Sequence, residues 1–102
     1  MANHFIEDVE EKTLYGTAMG SLLRNIILDI LKDKKELSLI DLREEVAKTN
    51  YRTREGREFD YSVIIFHIKE LDRTGLIKYS TVPIKKVKLL KYPKIYIEDM
   101  NI

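Results

Sequence analysis

The sequence predicts an α+β domain in which three helices are followed by a β-hairpin. Three observations carry that prediction. In DYSVIIFHIKELDRTGLI, residues 60–77, Ile64, Ile68 and Leu71 stand four and three apart, Gly75 closes the segment and Leu76-Ile77 follow at once. Those spacings put the three side chains on one helical face, and glycine supplies the left-handed residue that ends a helix. Upstream, Ser38 and Asp41 frame a second helix start. Downstream, short apolar runs broken by Pro83 and by lysines read as paired strands.

The first helix is expected from about Thr17 to Lys32, because Leu23, Ile26, Ile27, Ile30 and Leu31 recur at the spacings of one amphipathic face. Leu22 and Leu28 lie beyond that stripe, a width that suits a helix packed on two sides or one that also meets a partner subunit. Gly16 and Gly20 have a GxxxG spacing, which outside a membrane reads as small residues near a helix start. In the second helix Ser38 is the cap, Asp41 stands at the return position of a capping box, and Leu37 and Leu42 are placed as a hydrophobic staple. Leu39, Leu42 and Val46 form its inner face, and it should end near Lys48. The connection NYRTREGREF, residues 50–59, carries Arg52, Arg54 and Arg57 around Gly56 and is long for a helix–helix turn. Phe59 and Ile64 flank the cap Asp60 of the third helix. A strand is expected over Leu76–Val82, then the basic stretch IKKVK, then a returning strand at Ile95–Ile97.

At 102 residues the chain is one domain, divided into an N-terminal arm over 1–16, a folded domain over 17–98 and a tail over 99–102. A hydrophobic share of 44% with 34% charged residues marks a globular chain rather than a disordered one. The absence of cysteine excludes disulfides and thiolate metal sites. The longest apolar stretch, 22–31, is too short and too charged to span a bilayer, so no membrane partner is expected. The acidic N-terminus has no signal-peptide pattern, and a soluble, cytoplasmic protein is expected. The net charge of +1 conceals a gradient: residues 1–12 carry −3, residues 13–76 balance, and residues 77–102 carry +4.

Catalysis lacks parts. The histidines, His4 and His67, are far apart, and the glycines at 16, 20, 56 and 75 form neither a P-loop nor a dinucleotide fingerprint. No enzyme activity, metal or cofactor is expected. His67, near the buried edge of the third helix, reads as a packing residue. If Ile64, Ile68 and Leu71 point inward, steps of about 100° put Ser62, Phe66, Lys69 and Arg73 outward. Lys85, Lys86, Lys88 and Lys91 form a lysine run with almost no acid nearby. On a strand, Lys86 and Lys88 share one side, and Val87 and Leu89 the other. Lysines there serve either phosphate contact with counterion release or protection of a sheet edge. Tyr92 and Tyr96 read as core or dimer residues.

The helix ending in a leucine, a few polar residues and Gly-Leu-Ile, with two helices before it, resembles the recognition helix and first wing strand of winged helix-turn-helix DNA-binding proteins. The resemblance covers residues 20–98 and is nearest to the small regulators of archaea and their viruses. It implies that the third helix enters the major groove of double-stranded DNA with the hairpin wing beside it, in a homodimer that regulates transcription. The DNA-binding residues it implies are Arg52, Arg54, Arg57, Tyr61, Ser62, Phe66, Lys69, Arg73, Lys85, Lys86 and Lys88. Phe66 stands where the family commonly has a polar or basic reader. It fits a thymine methyl or a protein partner, and Val63 and Ile65 beside it fit the latter. Tyr61 fits a phosphate contact or packing beneath the turn, and Arg52, Arg54 and Arg57 fit phosphate contact or a solvated loop balanced by Glu55 and Glu58. The fold also serves as a protein-interaction module, which is the alternative function.

Overall fold

A computed structural model of the chain describes residues 21–92. Three helices, α1 (Leu22–Lys34), α2 (Leu39–Lys48) and α3 (Tyr61–Arg73), are combined with three strands, β1 (Glu36–Ser38), β2 (Ile77–Ser80) and β3 (Lys86–Leu89). The strands form one antiparallel sheet in the order β1-β3-β2. This is the α+β, winged helix-turn-helix arrangement: three helices, then a hairpin, with the α1–α2 connection closing the sheet.

Helix α1 is capped by Ser21, which is extended (φ −148°, ψ 129°) and whose hydroxyl accepts the Arg24 backbone N–H at 3.4 Å, so this helix begins at Leu22; positions 17–20 of the expected span lie outside the described residues. Capping a free N–H decides the boundary, which periodicity alone locates poorly. The helix runs on to Lys34, and Lys35 (φ 72°) turns the chain out by donating to the Leu31 carbonyl at 2.8 Å. Leu28 is a correction: it is 1% exposed and belongs to the core, whereas Leu22 is 56% exposed. Helices on one side and the sheet on the other bury a wider face of α1 than one stripe. Gly16 and Gly20 lie outside the described residues.

Strand β1 has no counterpart in the sequence pattern. Its three residues pair with β3 as Glu36↔Lys88, Leu37↔Val87 and Ser38↔Lys86. The predicted cap of α2 is present, with Ser38 Oγ accepting the Asp41 backbone N–H at 3.1 Å. The Leu39 N–H donates to the Lys85 carbonyl at 2.9 Å and joins the start of α2 to the wing. Leu39, Leu42 and Val46 are buried as expected. The following loop is ordered by its own backbone: Thr53 and Gly56, with φ +79°, close a tight turn through Thr53 N–H to Arg57 O and Gly56 N–H to Thr53 O, both 2.9 Å.

In α3 the predicted stripe is fully buried, with Ile64, Ile68 and Leu71 each at 0% exposure. The helix ends in a Schellman motif: Leu76 N–H donates to Leu71 O at 3.1 Å and Gly75 N–H, at φ +83°, to Asp72 O at 2.9 Å. The strand after it is Ile77–Ser80, shorter than the expected Leu76–Val82. Among the described residues, the strand that returns along β2 is β3, Lys86–Leu89, drawn from the lysine stretch itself, because Val87 and Leu89 there complete the core. Ile95–Ile97 and Tyr96 lie outside the described residues. Tyr92 packs against the core, and its hydroxyl donates to Asp29 Oδ1 at 2.5 Å.

Candidate nucleic-acid interface

With Ile64, Ile68 and Leu71 turned into the core, α3 presents Ser62, Phe66, Lys69 and Arg73 to solvent. Phe66 is 58% exposed, and the neighbouring Tyr61 and Val63 are 37% and 38% exposed. Ile65 differs, being partly buried against the core. Lys69 stands free of described carboxylates. Arg73 is paired with Glu70 at 2.9 Å, a hydrogen bond that raises the guanidinium pKa and lowers that of the carboxyl. An exposed pair of this kind is worth little and opens readily to another anion. Tyr61 sits at the helix start beneath the Arg43 guanidinium, 4.8 Å from the ring centre. Arg43 also donates to the Phe59 carbonyl at 2.9 Å, so Tyr61 is held where the loop enters α3.

On the inner edge of the same helix, Arg24 Nε donates to His67 Nδ1 at 2.9 Å. The acceptor nitrogen must therefore be unprotonated, with any ring proton on Nε2. Burial and the Arg24 charge lower the His67 pKa from its ordinary 6.5. The histidine thus holds α3 to α1, as a packing residue would.

The three loop arginines are not equivalent. The Arg52 guanidinium donates to the Ala47 and Tyr51 carbonyls at 3.0 and 3.1 Å, satisfying the open end of α2. Arg54 is exposed. Arg57 is exposed and lines a pocket of about 190 Å³ with Thr53, Glu55, Glu58 and Asp60.

The hairpin is the most clearly divided surface. Leu37, Val87, Tyr79, Ile77 and Leu89 face the core, while the other side carries Glu36, Lys88 and Lys78 in one row and Ser38, Lys86 and Ser80 in the next. Lys86 lies 4.0 Å from Glu36, and Lys85 is exposed at the turn. Sequence reasoning missed Lys78. Its alternation with Ile77 and Tyr79 shows that it faces outward, but only the strand register places it directly across from Lys88.

The wing turn is apolar at its tip: Val82 is 81% and Ile84 58% exposed, and Pro83 and Ile84 line a groove of about 570 Å³ with Ile40. Among the described residues no group of three or more His, Cys, Asp or Glu side chains is placed to hold a metal ion, and no helix is long and apolar enough to cross a membrane. Comparison of the chain with protein-family models, curated proteins and solved structures finds no match.

Proposed function

We propose that this protein binds double-stranded DNA in a sequence-specific manner, as a homodimeric transcription regulator acting in the cytoplasm, without catalysis or a cofactor. The observation that carries the reading is the segregation of the hairpin: apolar side chains inward, and three lysines outward against the single acid Glu36. Lysines on a protruding hairpin lie along phosphates and release counterions, which gives affinity without sequence information. Base reading falls to the solvent face of α3, where Ser62 and Lys69 offer hydrogen bonds and Phe66 an apolar contact for a thymine methyl. A single module covers little DNA, and dimerisation provides a second half-site. Leu22, at the start of α1, is an exposed apolar residue available for that contact.

Replacing Lys85, Lys86 and Lys88 with alanine tests the reading. Affinity for any duplex should fall, and the slope of log K against log salt should flatten by about 0.9 for each phosphate that the wing no longer neutralises. Unchanged affinity and slope would remove the wing from the interface. Sedimentation at micromolar concentration should return twice the 12.0 kDa chain mass.

A second reading, a protein-interaction module without specific DNA binding, is favoured by one observation: Tyr61, Val63 and Phe66 are all exposed on or beside the reading face of α3. The effect of removing the Phe66 ring separates it from the first.

A further inference from the structure

We propose that the solvent face of the sheet is a phosphate-binding site centred on Lys78 and Lys88, with Lys86 beside them. The placement comes from register. Lys78 on β2 and Lys88 on β3 are directly opposite residues, and directly opposite residues on one face have Cβ atoms about 4.5–5.5 Å apart. Both are exposed, and among the described residues neither is paired with a carboxylate. The one acid on this face, Glu36, stands across from Lys88 on its other side, and its carboxylate lies 4.0 Å from Lys86. Like charges set directly across a sheet destabilise it, and the single carboxylate of Glu36 is shared by Lys86 and Lys88, so Lys78 on the far side of Lys88 is left uncompensated. An anion that accepts hydrogen bonds from both ammonium groups removes the repulsion. A phosphate has the charge and the number of oxygens to do so, and Ser80, opposite Lys86, adds a hydroxyl at the edge of the same surface.

Edge protection does not account for this arrangement. β3 is the central strand, paired on both sides, so Lys88 guards no open edge. Lys78 does lie on an outer strand, but a single lysine there would suffice without one facing it. Nor does the pair serve the core, whose residues leave the strands on the other face. The phosphate is taken either from a duplex backbone, in which case the site extends the DNA reading above and rests on it, or from free phosphate.

The test compares the wild-type chain with the Lys78→Thr/Lys88→Thr double variant, in which threonine keeps the strand preference. Melting is measured in sodium chloride and in sodium phosphate of equal ionic strength. In chloride the double variant should melt no lower than wild type, because its like-charge contact is gone. In phosphate at tenfold the dissociation constant, wild-type Tm should rise by about 5–10 °C more than that of the variant, which keeps only the general salting effect. The same phosphate rise in both proteins overturns the site. Should the double variant fold poorly, Lys78→Gln alone must lose part of the rise, and an undiminished rise overturns the site equally. Titration with a 20-base-pair duplex identifies the source. A salt slope shallower by about 1–2 in the variant assigns the backbone of DNA. A lost phosphate effect with unaltered duplex affinity and slope assigns free phosphate and overturns the backbone contact. If the wild type binds no duplex yet shows the phosphate effect, the site stands and the DNA reading falls.

Discussion

Replacing Phe66 with alanine separates recognition from folding because the structure assigns this ring to the outside of α3. Phe66 is 58% exposed, so about two fifths of its surface is withdrawn from water. Full burial of a phenylalanine contributes about 1.5–3 kcal/mol, so truncation removes about 0.6–1.2 kcal/mol. Alanine's higher helix propensity returns about 0.5 kcal/mol. The edge-on packing against the His67 ring, at 5.2 Å between centroids, also disappears, but it lies at the surface. The net cost is therefore below about 1 kcal/mol, and Tm should move by less than about 6 °C. Ile68, two positions on and 0% exposed, is the internal control. Its replacement by alanine opens a cavity and should cost about 2–5 kcal/mol. If Phe66 meets a thymine methyl, its loss should weaken binding to a preferred sequence by about 1–3 kcal/mol, with little change on random duplex. Calorimetric melting, fluorescence anisotropy with both duplexes and sedimentation on the two variants complete the experiment. A Tm loss for Phe66→Ala as large as that for Ile68→Ala would refute the assignment of faces on α3. Dissociation into monomers with both DNA affinities intact would refute base contact and make Phe66 a protein contact.

Two further outcomes follow from contacts outside the reading face. The His67 pKa is lowered from 6.5, first by burial and then by Arg24, so as pH falls the unfolded chain takes up this proton before the folded one does. Its contribution to stability is thus full above about pH 6.5 and is lost progressively below it; Tm should fall with acidification through that window, and His67→Gln should flatten this part of the profile. Arg52→Ala removes the donor that closes the end of α2 and should lower stability by about 1–2 kcal/mol in urea unfolding. A variant with an unchanged urea midpoint but weakened duplex binding would make Arg52 a phosphate contact instead.

The parts legible in the sequence are those governed by neighbours along the chain. The buried stripe of α3 follows from spacings of three and four, the start of α2 from a serine three residues before a free N–H, and the end of α3 from Gly75 in a left-handed conformation. The outward set of Ser62, Phe66, Lys69 and Arg73 follows from the same helical geometry, and the opposition of Lys86 and Lys88 to Val87 from the two-residue alternation of a strand. Three features depended on the assembled fold. Glu36–Ser38 has no strand pattern of its own and is extended because β3 offers it a free row of backbone partners. Leu28 is buried because the elements packed around α1 cover more than one stripe of it. Lys78 faces Lys88 because the hairpin returns at Lys86, opposite Ser80, and each step back along β2 is then matched by a step forward along β3. Periodicity tells which side of its own strand a residue occupies, whereas its cross-strand neighbour depends on where the chain turns back, and that is decided by which apolar residues can close the core.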